Sequence, residues 1–272
     1  MCSRYPDGGT VRRIGENRTV LELTTEADLR AATDDDSLLS WAAQGFAGET
    51  RAWMRGRAVA VAAPDLSGRD RVAVRGPVDE LAPLLRQVLA LVGPSYRPLG
   101  DAELLAALVA REDGLELRGR FGWMHRSGPL AVPTSDRTPA VARWLAADEL
   151  DEAADLIDRH FPDSHAHPHR SGTRAWAGVR DSRGRLTALA ADAWPAPGVG
   201  LLAGVVTDPE HGRGRGHGEA ACRLVLTRIL RRSPRAALMV HAWNEPAIRL
   251  YRRLGLQYRL LDAAAQRGAG TA

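Results

Sequence analysis

The stretch Thr207-Asp208-Pro209-Glu210-His211-Gly212-Arg213-Gly214-Arg215-Gly216-His217-Gly218 decides the fold class. It follows a nearly all-apolar run, 199–206, that reads as a strand buried on both faces. It leads into 218–233, a run with helical spacing of apolar residues. Residues 236–242 then read as a second buried strand. Strand, glycine turn, helix and strand in this order make a right-handed βαβ crossover with parallel strands. Ligands of such units sit beyond the carboxyl ends of the strands, near the helix N-terminus. There the first N–H groups of the helix have no intrahelical acceptor and the helix dipole favours an anion. Four glycines from Gly212 to Gly218 let the backbone approach a ligand and adopt positive φ. A diphosphate is the natural guest.

Residue types exclude two other phosphate-binding turns. A P-loop needs Gly-Lys-Ser/Thr, and the sequence contains no Lys. A dinucleotide turn needs G-x-G-x-x-G and an acid about 20 residues further on. Here the spacing is G-x-G-x-G, and the next strand ends His241-Ala242-Trp243. The lack of Lys also removes Schiff-base and pyridoxal-phosphate chemistry. Between Val205 and Leu260 eleven Arg stand against four acids, so this segment is more basic than the whole chain at +4. A strongly anionic ligand is expected, with Arg213 and Arg215 inside the turn closest to it.

Working outward, 141–144 reads as a strand, 148–160 as an amphipathic helix, and 174–179 with 186–194 as a hairpin. Residues 246–254 read as a helix stopped by Gly255, and 256–261 as a last strand. The Pro/Ser/Thr-rich stretch 128–139 reads as a linker. Before it, 26–44, a segment opened by Pro77, and 102–110 read as helices, while 57–63, 71–74 and 115–123 read as strands. This first half carries no chemical motif. The expected organisation is a first α/β domain over 1–127, the linker, a second domain over 140–262, and a flexible tail over 263–272.

Two motifs in the second domain resemble those of the GCN5-related N-acetyltransferases (GNAT). Arg213-Gly214-Arg215-Gly216-His217-Gly218 is similar to the R/Q-x-x-G-x-G/A signature, with Gly212 as a one-residue insertion. Asn244-Glu245-Pro246-Ala247-Ile248-Arg249-Leu250-Tyr251-Arg252-Arg253-Leu254-Gly255-Leu256 resembles N-x-x-A-x-x-L-Y-x-x-x-G-F, with Leu256 for the usual Phe. The resemblance spans roughly 140–262. It implies an α/β fold in which a mixed sheet is flanked by helices, preceded by a smaller α/β domain that reads as a degenerate copy.

The resemblance also implies acetyl-CoA as cosubstrate and acyl transfer to a primary amine of a small molecule or peptide. The backbone of Arg213, Gly214, Arg215, Gly216, His217 and Gly218 would hold the pyrophosphate, and Thr207 would also bind the cofactor. Val205 and Val206 would hydrogen-bond the pantetheine arm, and a backbone N–H there could stabilise the oxyanion. Asn244 would contact the arm, and Tyr251 would protonate the departing thiolate. The strand before the signature lacks the carboxylate that serves many members as base; Asp192, His241 or a water chain are the alternatives. A second reading keeps the cradle in a non-catalytic acyl-CoA sensor, in which Tyr251 is dispensable.

Other classes find little support. The histidines of 163–169 invite a metal reading, but no metal is expected, and the resemblance implies that this loop lines the acceptor pocket. No helix-turn-helix or aromatic-basic interleaving points to nucleic acid. The longest apolar runs fall far short of the ~18 residues needed to span a membrane. The N-terminal residues lack the apolar core of a signal peptide. Cys2 and Cys222 cannot form a disulfide framework, so a reducing cytoplasm is the expected compartment. Cys222 and the tryptophans, Trp243 included, read as core.

Overall fold

The computed structural model describes residues 12–14, 20–131 and 140–268. The chain forms two compact units. One comprises Met1–Trp123, His241–Trp243 and Arg259–Ala272; the other comprises Met124–Val240 and Asn244–Tyr258. Most of the expected linker (132–139) and the end of the expected tail (269–272) lie outside the described residues.

The first unit runs β1 (Arg12–Ile14), β2 (Val20–Leu23), α1 (Glu26–Thr33), α2 (Ser37–Ala42), β3 (Arg51–Arg55), β4 (Ala58–Ala63), β5 (Arg71–Arg75), α3 (Val78–Val92), β6 (Arg97–Asp101), α4 (Ala102–Val109) and the start of β7 (Leu115–Ser127). Strands β1 to β5 pair antiparallel in sequence order, and β5 pairs parallel with β6 across the α3 crossover. Leu81, Leu84, Leu85 and Val88 of α3 pack on Ala58, Ala60, Val72 and Val74 of the sheet. The helix expected over 26–44 is two helices. Asp34 and Asp35 take left-handed φ of 52° and 57° and end α1, and Asp36 caps α2 by accepting from Leu38 and Leu39 N–H.

The second unit repeats the same succession. It runs β8 (Ala142–Trp144), α5 (Leu150–His160), β9 (Thr173–Arg180), β10 (Leu186–Ala193), β11 (Val199–Thr207), α6 (His217–Arg232), β12 (Arg235–His241), α7 (Glu245–Arg253) and β13 (Gln257–Gln266). Here β8 to β11 pair antiparallel in order, and β11 pairs parallel with β12 across α6. All eight residues of β10 are buried, as a strand covered on both faces requires. Ala188 and Ala190 point into a core with Val225, Leu226 and Ile229 of α6; Leu189, Ala191 and Ala193 point into another with Leu156 and Ile157 of α5. Each fully buried aliphatic side chain stabilises this packing by ~1.5–3 kcal/mol.

The last strand is longer than the sequence suggests. Residues 263–266, expected in a tail, continue β13, and Ala264 is fully buried. This end of β13 lies in the first unit and pairs antiparallel with β6, Leu261 opposite Asp101. Among the described residues no helix is long and apolar enough to cross a membrane.

Candidate functional site

Strand β11 is bent where the site begins. Its register against β10 slips by one residue between Leu189↔Val206 and Ala191↔Ala203. The extra residue makes a bulge at Gly204, whose φ is +57°. A Cβ there would stand 2.6 Å from the Trp176 ring, so both backbone and packing require glycine. The ladder with β12 covers Val199–Leu202, whereas the ladder with β10 continues to Thr207. Val205 and Val206 therefore follow the bulge on the stretch of β11 beyond its ladder with β12.

The turn after β11 is wound around Asp208. Its Oδ1 accepts from Glu210 N–H at 2.8 Å and His211 N–H at 2.9 Å, and its carbonyl accepts from Gly212 and Arg213 N–H, both at 3.0 Å. Burial alone would raise this carboxyl; the His211 and Glu210 donors outweigh it and hold it at about 2. His211 Nδ1 lies 3.2 Å from both carboxylate oxygens, and its Nε2 lies 2.8 Å from Arg185 Nη1. Arginine only donates, so Nε2 accepts and the proton sits on Nδ1, facing Asp208. Arg185, His211 and Asp208 thus brace the turn from outside.

Past this brace the chain passes Gly214 and Gly216 at φ +74° and +80° and enters α6 at His217. Gly218 is needed for close approach, since a Cβ would meet Thr207 Oγ1 at 2.6 Å. The N–H groups of His217, Gly218 and Glu219 open the helix without intrahelical acceptors. Arg213 and Arg215 are exposed on the turn. Thr187 Oγ1 donates to Val179 O at 3.0 Å and lies 2.7 Å from His217 Nδ1. With the hydroxyl proton committed, His217 donates through Nδ1. Burial, then Arg215, lowers the His217 pKa, so the ring beside the turn is held neutral.

Asn244 caps α7 by accepting from Ala247 N–H at 3.2 Å through its side-chain oxygen. Tyr251, about two helical turns beyond, is buried with Cys222, Val225 and Ile248. Burial, then Cys222, pushes the Tyr251 phenol well above its ordinary value; burial pushes the Cys222 thiol up to about 12.

The structure brings Thr207 and residues 213–218 into one cradle, with Val205 and Val206 on the strand leading into it. It places Asp192 elsewhere. That fully buried carboxylate faces α6 and pairs with Arg232 in the last turn of the helix. Fifteen residues of α-helix, about 22 Å, separate this pair from His217. His241 stacks on Trp243 at 5.3 Å and lies 5.4 Å from the Phe121 ring, within the first unit. Trp243, expected in the core, is 75% exposed. His167 and His169 meet Asp158 and Asp151 of α5, and among the described residues no group of His, Cys, Asp or Glu is arranged to hold a metal.

The sequence reading missed Gly204, Asp208, Arg185 and Thr187. Two signals were present: a lone glycine in an apolar strand marks a bulge, and Asp-Pro marks a turn start. The counterpart turn in the first unit is only Gly76-Pro77. A Cβ at Gly76 would stand 2.6 Å from Ala58 Cα, and the first turn of α3 carries Asp79 and Glu80. Glu80 accepts from Arg57 N–H at 2.7 Å, and Asp79 pairs with Arg111.

A protein-family model described as FR47-like protein matches residues 177–264. No curated protein sequence matches the chain. Among solved structures, a GCN5-related N-acetyltransferase from Kribbella flavida is 22% identical with a TM-score of 0.60, covering 85% of this chain and 95% of that one. A GCN5-related N-acetyltransferase from Sphaerobacter thermophilus is 16% identical with a TM-score of 0.54, covering 81% of each chain. A GCN5-related N-acetyltransferase-like protein from Streptococcus suis is 12% identical with a TM-score of 0.50, covering 89% and 97%. The chain therefore has the GNAT fold, the superfamily that its two C-terminal motifs resemble.

Proposed function

We propose that this protein is an acetyl-CoA-dependent N-acetyltransferase whose acceptor is a primary amine of a small molecule or peptide. The observation that carries the reading is the turn 207–218, braced by Asp208 and open at the N-terminus of α6 next to the Gly204 bulge. Its N–H groups suit a diphosphate, and Arg213 and Arg215 add charge. Val205 and Val206 would align the pantetheine arm, and the Asn244 NH2 would meet it.

The acetyl thioester supplies the electrophile, and the amine attacks it directly in a ternary complex. A backbone N–H of β11 near the bulge stabilises the developing oxyanion. Tyr251 would protonate the leaving thiolate, since a phenol keeps its proton at neutral pH. Asp192 is already committed to Arg232, so the amine loses its proton through water. The absence of a carboxylate on β11 favours one other reading, an acyl-CoA sensor without turnover.

The test is acetyl-CoA consumption across a panel of primary amines. Tyr251→Phe is expected to lower kcat ~10²–10⁴-fold with acetyl-CoA affinity unchanged. Binding of acetyl-CoA without turnover of any amine would favour the sensor; turnover unaffected by Tyr251→Phe would remove Tyr251 from the mechanism.

A further inference from the structure

Trp176 stands on β9 opposite Ala191 of β10, and Ala191 stands opposite Ala203 of β11. Its ring crosses the intervening strand over the small side chain of Ala191 and ends at Gly204. A Cβ on that glycine would stand 2.6 Å from Trp176 Cη2 and 2.8 Å from Cζ3, with Ala166 Cβ closing on the same point at 3.2 Å. The indole is only 3% exposed, and among the described residues its buried Nε1 has no hydrogen-bond partner. A buried donor without an acceptor is a cost, and a phenylalanine or leucine would avoid it among neighbours such as Leu156, Ile157 and Leu189. What the indole supplies that those side chains lack is reach, from its own strand to the second one along.

A bulge re-aims the backbone that follows it, and its height depends on what packs against it. We propose that Trp176 is a positioning residue for acyl transfer, whose ring sets the Gly204 bulge and so fixes the β11 N–H that meets the thioester carbonyl. This rests on the acetyltransferase reading above. Trp176 touches no reacting atom; it acts through Gly204. An oxyanion donor works only at ~2.7–3.1 Å, and a shift of ~1 Å at a reacting centre costs on the order of 10²-fold in rate. The cradle of 207–218 is braced separately by Asp208, so cofactor affinity does not depend on the ring.

The test reads the carbon NMR shift of acetyl-CoA labelled at its thioester carbonyl, bound to the full chain without any amine. A donor on the carbonyl oxygen polarises the bond and moves the signal downfield of free acetyl-CoA. Trp176→Phe, which keeps a ring but shortens it, should return the signal at least halfway to the free position, and Trp176→Leu further. Calorimetric affinity for acetyl-CoA should stay within about threefold of wild type. With any amine that turns over, Trp176→Phe should lower kcat at least about tenfold with the KM for acetyl-CoA nearly unchanged. Trp53→Phe is the control: Trp53 is a fully buried indole of the first unit whose Nε1 also lacks a partner, and its loss should leave the bound signal in place. If Trp176→Leu does not fold, Trp176→Phe decides. A full downfield shift in Trp176→Phe, the same loss in Trp53→Phe, or a wild type that binds with no downfield shift overturns the role of Trp176 and leaves the cradle standing. A folded wild type that does not bind acetyl-CoA overturns the acetyltransferase reading itself.

Discussion

Replacing Asp208 by Ala removes the acceptor around which the cradle is wound. Two backbone N–H groups, those of Glu210 and His211, and the His211 ring lose a charged partner. Hydrogen bonds to a charged group contribute ~1.5–3 kcal/mol each when shielded. The Asp208 side chain is 14% exposed, but Glu210 faces solvent and its N–H regains water. The net loss should then be about 2 kcal/mol, a fall in Tm of about 4–8 °C for a chain of this size. Asp208→Asn keeps an oxygen for the N–H groups but turns an NH2 toward the His211 proton, so about half that loss is expected. The loosened turn must be ordered by the ligand, and acetyl-CoA should bind about tenfold more weakly. The pH dependence has a definite sign. A carboxyl held at about 2 in the fold, below its ordinary 3.8, stabilises fully above the higher value and loses that contribution as pH falls through the lower one. The Tm gap between wild type and Asp208→Ala should therefore be constant from about pH 7 to 5 and close between about pH 4 and 2. Differential scanning fluorimetry across pH, with a calorimetric titration of acetyl-CoA, reads both quantities. A Tm change below about 1 °C with unchanged affinity would refute the role given to Asp208.

The bulge and the buried ion pair give two further tests. Gly204→Ala combines a left-handed φ with a Cβ against Trp176 and should cost about 2–4 kcal/mol in chemical denaturation; a cost under about 1 kcal/mol would mean the bulge has slack. Arg232→Met leaves the Asp192 carboxylate buried alone and should destabilise by ~3–5 kcal/mol. Asp192→Asn should leave kcat near wild type; a large fall in kcat with a normal melting profile would make Asp192 the base after all.

The parts of the fold legible in the sequence are those with one dominant periodicity. Strand β11 is an uninterrupted apolar run, α6 repeats its buried residues every three or four positions, and glycines mark the turn between them. Strand β6 was not legible, because Arg97-Pro98-Leu99-Gly100-Asp101 has the composition of a turn and is a strand only through its neighbours β5 and β13. The alanines at 263–265 look featureless yet are buried by pairing distant in sequence. In the site, the glycines and the capping Asn244 could be read locally. Arg185 and Thr187 could not, since the register Ala188↔Thr207 brings them to the turn across 20 and more residues. Trp243 shows the reverse error: a tryptophan type predicts burial, but its place after β12 leaves it in solvent.

The central claim is that residues 207–218 hold an acyl-CoA diphosphate. The measurement that tests it most directly is a calorimetric titration of the full chain with acetyl-CoA, in wild type and in Gly216→Glu. The wild type should bind one equivalent per chain, since the first unit has only Gly76-Pro77 and two acids in the first turn of α3 where the second has its glycine turn. Gly216→Glu, with a carboxylate in the cradle, should abolish binding while the protein still melts cooperatively. Absence of binding by the folded wild type, or binding that Gly216→Glu leaves intact, would contradict the account.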